Sequence, residues 1–93
     1  MFVAKLIAVF TVREAINSGY EEFIKLRAIY ENRKYKDNDY VALFNIEGTT
    51  SYHVFFIDKD TKIEDIKNEF GELNVIINYD SEKSLKRFID GLK

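Results

Sequence analysis

Several residue types that support common protein chemistries are missing or scarce in this chain. The 93 residues include no Cys and only one His. Without cysteine the chain has no disulfides, no thiolate metal ligands and no cysteine nucleophile, which agrees with a reducing compartment. A single histidine leaves few ways to build a histidine metal site or a histidine-based catalytic pair. These absences remove several classes of enzyme and metal-binding domain at once.

The chain also lacks a long hydrophobic run and a strong excess of one charge. Its longest apolar segment, Phe2–Val12, is interrupted by Lys5 and is far shorter than the about 20 residues of a membrane-spanning helix. Only Met1 precedes it and no small-residue cleavage site follows, so a signal peptide is not predicted. The 14 Lys and Arg residues face 16 Asp and Glu residues, a net charge of −2, which is not the field of a non-specific nucleic-acid binder. We expect a cytoplasmic protein without membrane contact.

Enough apolar residues are present for a packed core. They make up 46% of the chain and include eight Phe and six Tyr, so global disorder is not expected. The length predicts a single domain over residues 1–93. Abundant Ile, Lys, Asn, Tyr and Phe indicate an AT-rich gene, and many Lys and Glu residues without Cys are typical of thermophiles. The composition resembles that of small archaeal and archaeal-virus proteins.

The order of the patterned segments predicts the fold. In chain order they are a strand at Phe2–Val12, a helix at Arg13–Arg33, strands at Asp39–Glu47 and Ser51–Asp58, a helix at Thr61–Phe70, a strand at Asn74–Tyr79 and a final helix at Ser81–Leu92. This β-α-β-β-α-β order is that of the ferredoxin-like, or split βαβ, arrangement, an α+β fold, here with an extra C-terminal helix. The first strand is apolar almost throughout, which predicts a central position in the sheet.

Local signals indicate where the helices begin and end. Gly19 either allows a close approach of the first helix to the sheet or marks a break in that helix. Thr61–Glu64 has the spacing of a capping box. Asp80 or Ser81 is the expected cap of the final helix. That helix carries one apolar side, formed by Leu85, Phe88, Ile89 and Leu92.

The ferredoxin-like arrangement predicts one sheet face without helices. By the two-residue period of a strand, the residues expected there are mostly apolar: Val3, Lys5, Ile7, Val9, Leu43, Phe55, Ile57 and Ile76. An apolar patch above a few hundred Å² is seldom left exposed on a monomer, so either the final helix or a second copy should cover it. We predict a homodimer that binds or regulates another protein.

A basic and aromatic segment supports an alternative function. It contains Arg27, Tyr30, Arg33, Lys34, Tyr35 and Lys36. Cations of this kind contact phosphates and tyrosine stacks on bases, so the segment could bind nucleic acid. Glu31, Asp37 and Asp39 cancel much of its field, and cations at a helix C-terminus also complement the helix dipole. Nucleic acid is therefore a possible partner but not the favoured one.

No catalytic constellation is visible. His53 lies within a predicted strand without a nucleophile or an orienting group nearby, so a structural role is favoured. Four carboxylates, Asp37, Asp39, Asp58 and Asp60, would offer oxygen ligands to a hard cation if their loops met. Their spacing matches no metal motif, and turns and helix caps account for them. The sequence predicts no catalytic residue, no metal site and no cofactor, and it favours a non-enzymatic interaction module.

Overall fold

A computed structural model describes residues 1–93 and shows an α+β architecture, a four-stranded sheet with four helices. In chain order the elements are β1 (Phe2–Thr11), α1 (Val12–Asn17), α2 (Glu21–Glu31), β2 (Tyr40–Ile46), β3 (Tyr52–Ile57), α3 (Ile63–Glu72), β4 (Val75–Ile77) and α4 (Tyr79–Gly91). All four predicted strands are present, each shorter than expected, and β4 has half its predicted length. None of the helices combines the length and the apolar character needed to span a membrane.

The predicted first helix is two helices, α1 and α2. Gly19, in the link between them, has a φ of 94°, a conformation that glycine adopts without steric cost. The prediction of a break at this residue is confirmed. At the other end of α1, the Thr11 hydroxyl accepts a hydrogen bond from the Glu14 N–H, and the Glu14 carboxylate accepts one from the Thr11 N–H. This capping box starts the helix directly at the end of the strand.

The strand order is β3-β2-β1-β4, so β1 is an interior strand, as predicted. It pairs antiparallel with β2 and parallel with β4, and β2 pairs antiparallel with β3. In a split βαβ unit each helical connection joins two parallel strands, whereas here α1 and α2 join the antiparallel neighbours β1 and β2. The ferredoxin-like topology is therefore not confirmed. The order of elements is the same, but the strands are paired differently.

Helices cover both faces of the sheet, which corrects the prediction of one helix-free face. Alternate residues of β2 enter two separate cores. Phe44 packs with Phe70 of α3 and Leu85 of α4 in what we term the α3–α4 core. Leu43 packs with Ile24 of α2 in the α1–α2 core on the opposite face. The two connections cross opposite faces, so neither face is left fully open.

A β-bulge in β1 changes which side chains reach each core. The pairing with β2 shifts register between Leu6 and Ala8. Before the bulge, Ala4 belongs to the α3–α4 core and Leu6 packs against it; after the bulge, Val9 packs against the same core. One extra residue in a strand reverses the alternation beyond it. Val9 therefore lies on the opposite side of the sheet from Val3 and Lys5, contrary to the prediction.

Two predicted helix caps are replaced by other groups. The α3 helix begins after Lys62, and the Thr61 hydroxyl accepts a hydrogen bond from the Asp58 N–H at 2.8 Å instead of capping the helix. The α4 helix is capped by Asn78, whose Oδ1 accepts from the Ser81 N–H at 3.0 Å. The apolar side of α4 is packed as predicted. Leu85 and Ile89 are buried, while Phe88 and Leu92 pack against the α3–α4 core at its border.

Candidate interaction surfaces

The eight residues predicted to form one partner face do not share a surface. Leu43 is buried in the α1–α2 core, whereas Phe55 and Ile57 are buried in the α3–α4 core. Half of the predicted set remains at least partly accessible on one side of the sheet, and we call it the β1–β4 patch: Val3, Lys5, Ile7 and Ile76. In this patch Ile7 and Ile76 are each 51% exposed, at the edge of the sheet where β4 has no outer neighbour.

Arg27 of the predicted nucleic-acid segment connects α2, on one face of the sheet, with α3, on the other face. Its guanidinium lies 4.5 Å from the centre of the Phe55 ring in edge strand β3. It donates to Glu31 on its own helix and to both carboxylate oxygens of Glu69 on α3, with Nη2 and Oε1 3.0 Å apart. Burial disfavours the charged form, but the hydrogen bonds to Glu69 and Glu31 outweigh it and raise the pKa of Arg27. We call this contact the β3-edge clamp.

Arg33 and Tyr35 extend the packing along the same edge. The Arg33 guanidinium lies 4.6 Å from the centre of the Phe56 ring and 3.6 Å from the Asp58 carboxylate. The ring of Tyr35 is 5.7 Å from that of Phe56. Three of the six predicted nucleic-acid residues are thus engaged within the protein. The other three, Tyr30, Lys34 and Lys36, are exposed.

A groove of about 330 Å³ follows the β3 edge between α2 and α3. Both signs of charge line it, since Arg27, Arg33 and Lys62 face several carboxylates, among them Asp58 and Glu69. Asp39 and Asp58 line a neighbouring groove of about 340 Å³. No three carboxylate or histidine side chains come close enough to hold a metal ion.

His53 lies at the margin of the α3–α4 core. Its ring meets the Phe70 ring edge to face, with 5.5 Å between the ring centres. Desolvation lowers the pKa of His53, Arg27 lowers it further, and the Glu69 carboxylate opposes both. The neutral imidazole is therefore favoured. A general base would need a pKa near the working pH and a nucleophile in reach, and this site favours a packing role.

The outer face of α2 is apolar. Leu26, Ile29 and Tyr30 are 63%, 76% and 70% exposed, while Ile24 and Ala28 on the inner face are buried. We define the α2 stripe as Glu22, Leu26, Ile29 and Tyr30. A groove of about 650 Å³ borders it, lined by Lys25, Asn32, Lys34 and Tyr35 among others.

Sequence reasoning missed this stripe. Tyr30 is assigned from the sequence to the basic and aromatic segment, whereas the fold exposes it beside Leu26 and Ile29. The available signal is the number of apolar residues between positions 23 and 30, which is more than one helix face can bury.

The outer face of α4 is basic. Seven of the 14 Lys and Arg side chains form ion pairs within the chain. The seven others are Lys5, Lys34, Lys36, Lys62, Lys83, Lys86 and Arg87. The last four surround the exposed side of α4, and we call them the α4 basic surface. The sequence alone does not reveal this surface. Acidic residues of the same helix lie between its cations, and their spacing along the chain does not show which face they occupy.

Comparison with known proteins places the chain in a family. The family model described as "Domain of unknown function (DUF749)" matches residues 2–89. An uncharacterized protein of the thermophilic archaeon Methanocaldococcus jannaschii is 60% identical over 92 residues, which cover 99% of this chain and 81% of that protein. No solved structure matches the chain. The chain belongs to the DUF749 family. Its archaeal relative agrees with the composition, while an archaeal-virus origin stays a prediction.

Proposed function

We propose that this DUF749 protein is a non-enzymatic interaction module of the cytoplasm that acts as a homodimer, with the α2 stripe as the dimer interface. The observation that carries the proposal is the exposure of Leu26, Ile29 and Tyr30 side by side on one helix. Contiguous apolar surface of this kind marks interaction sites on soluble proteins. Aromatic side chains such as Tyr30 are also enriched in interfaces.

A second copy of the chain is the occupant that the α2 stripe fits best. Glu22, Leu26 and Ile29 recur at spacings of four and three, the spacing of a seam between two packed helices. The stripe is acidic at its N-terminal end, and the exposed Lys34 follows beyond its C-terminal end. A two-fold axis through the centre of the stripe places Glu22 of each copy towards Lys34 of the other. Such complementarity fixes the orientation of an interface more than it adds affinity.

The β1–β4 patch is the proposed site for the protein that the dimer binds or regulates. It combines two half-exposed isoleucines, Ile7 and Ile76, with the free outer edge of β4. An unpaired edge strand offers backbone groups to an added strand, and the neighbouring apolar side chains supply contact area.

Nucleic-acid binding through Arg27–Lys36 is the alternative function. It would depend on Tyr30, Lys34 and Lys36, since Arg27 and Arg33 are held by carboxylates of the same chain. A cation that already has a partner gains less from a phosphate. The dimer therefore remains the favoured proposal.

Light scattering coupled to size exclusion tests the dimer. We expect a mass near twice the 11.0 kDa of the chain. Ile29→Lys should shift the protein to the monomer, because a charge would be buried at the centre of the interface, while lysine keeps the helix propensity of this exposed position.

Ile76→Lys in the β1–β4 patch is the matched control, since the same substitution is made at another exposed isoleucine. It should leave the dimer intact. A wild-type protein that stays monomeric at every concentration would contradict the homodimer. If Ile76→Lys alone gives monomers, the dimer forms through the β1–β4 patch and not through α2.

A further inference from the structure

We infer that the α4 basic surface binds the phosphate backbone of single-stranded nucleic acid, a function beyond the proposed dimer. Lys83, Lys86 and Arg87 occupy positions i, i+3 and i+4 of α4, so they lie on one face of the helix, and all three are exposed. Lys62, in the segment before α3, borders the same face together with Lys86. Lysine and arginine side chains arranged in this way are the usual contacts to phosphates.

Most carboxylates around this surface are already paired. Asp80 of α4 and Asp65 near Lys62 form no ion pair, and the four unpaired cations outnumber them, which leaves positive charge in excess. Asp90 lines the same depression and is 3.4 Å from the ammonium of Lys93. Glu82 and Glu64 lie 3.3 and 3.6 Å from the ammonium of Lys67. Lys62, Lys83, Lys86 and Arg87 have no such partner. Because exposed charges act over about 10 Å at moderate salt, this local excess is compatible with the net charge of the chain.

An exposed tyrosine favours nucleic acid over other polyanions. Tyr79, the first residue of α4, is 71% exposed, and the Lys83 ammonium lies 5.4 Å from the centre of its ring. An exposed aromatic ring beside cations gives an unpaired base a surface to stack on, while the cations follow the backbone. An acidic peptide has no base to stack on the ring. The favoured ligand is therefore a single strand with accessible bases.

The position of the surface makes it independent of the dimer. The α4 helix covers one face of the sheet, and α2 covers the other. A dimer joined through α2 would carry two α4 basic surfaces on its outside, and two linked sites bind a long strand more tightly than one. The surface is also separate from Arg27–Lys36, the segment that the sequence itself suggests for nucleic acid.

Fluorescence anisotropy with a labelled single-stranded RNA of about 20 nucleotides tests the inference, since this length exceeds the footprint of a typical small single-strand site. If four cations contact phosphates, the logarithm of the binding constant should fall with the logarithm of salt concentration with a slope of about −3. The double substitution Lys86→Glu and Arg87→Glu should weaken binding at low salt about tenfold or more and reduce the slope by about 1.4. Tyr79→Ala should weaken binding and leave the slope unchanged.

A matched control uses Arg13 and Lys59, two exposed cations that lie outside α4 and outside the other proposed surfaces. Arg13→Glu with Lys59→Glu produces the same change in net charge, and binding should be retained. Equal losses in both double variants would show a net-charge effect and overturn the inference, as would no binding by the wild type at low salt. Equally strong competition by polyglutamate would assign the surface to an acidic protein segment instead. The light-scattering mass of each variant shows whether assembly has changed, so failure of this inference is distinguishable from failure of the dimer.

Discussion

On one side of the sheet, α2 buries Ile24 and exposes Leu26 and Ile29, whereas on the other side α4 buries Leu85 and exposes Lys86. The inner faces serve the same purpose, since each contributes aliphatic side chains to a core on its side of the same sheet. The outer faces differ in kind. The polar outer face of α4 is well solvated by water. The apolar outer face of α2 is stable only when another surface covers it. Burial thus explains the fold on both sides, and the two functions proposed above rest on the difference between the outer faces.

Truncation of the inner faces should have the largest effect and should be similar on the two sides. Ile24→Ala and Leu85→Ala each remove a side chain that is fully buried. Each should lower the free energy of unfolding by about 2–5 kcal/mol, because the apolar contacts are lost and a cavity remains. Urea denaturation measures the change. Lys86→Ala on the outer face of α4 is the control and should stay within about 0.5 kcal/mol of wild type. A small loss at Ile24 alone would show that the α1–α2 core contributes less than the α3–α4 core.

The β3-edge clamp joins the two sides, and its removal should have an intermediate effect. In a double-mutant cycle, Arg27→Gln and Glu69→Gln should show a coupling free energy of about 1–2 kcal/mol, because both side chains are largely removed from water. The exposed pair Arg13 and Asp37, 2.7 Å apart, is the control and should couple much more weakly, since water screens it. Equal coupling in the two cycles would mean that the clamp is no more than a surface ion pair.

A pH effect on stability should be the smallest and should arise on the α3–α4 side alone. Because the pKa of His53 is lowered on folding, the unfolded chain binds the proton more readily than the folded chain. Stability is then complete above the unfolded pKa of about 6.5 and falls as the pH drops from there towards the lower folded value. As the pH is lowered from about 7.5 to about 5.5, the melting temperature should decrease for wild type and much less for His53→Leu. An identical decrease in the variant would assign the effect to other groups.

The sequence predicts the strands and helices of this fold better than it predicts which of them pair or pack together. All four strands and the apolar side of α4 follow from local periodicity. The strand order does not, because it depends on pairings between distant segments such as Phe2 and Val75. A single inserted residue, at the β1 bulge, was enough to remove Val9 from the predicted partner face, and the register of β2 with β3 placed Phe55 and Ile57 on the opposite side from Leu43.

Helix caps show the same limit of local signals. Thr11–Glu14 and Thr61–Glu64 both have the Thr-x-x-Glu spacing of a capping box, and only the first forms one. The sequence favours the second, because an evident amphipathic helix follows it, whereas Thr11 ends an apolar strand. In the fold, the Thr61 hydroxyl is taken by the Asp58 N–H. The local pattern is necessary for the box, but the surrounding chain decides whether it forms.

The candidate sites follow the same rule. The basic character of Arg27–Lys36 is visible in the sequence, but the carboxylates that hold Arg27 and Arg33 are Glu69 and Asp58, from later elements of the chain. The α4 basic surface is the reverse case. Glu82 and Asp90 lie between its cations in the sequence, and the fold pairs these two carboxylates with Lys67 and Lys93.

The place of β1 in the sheet has a consequence for the order of events during folding. It is the first strand to leave the ribosome, yet its neighbour on one side, β4, begins only at Val75. Pairing segments so far apart in the chain requires closing a long loop, which slows folding relative to local hairpins. Until β4 is synthesised, an incomplete sheet of β1, β2 and β3 presents the apolar edge of β1 to other nascent chains. Such an unpaired edge is a site of aggregation, so the last fifth of the chain protects the start of the first strand, Phe2–Ala4.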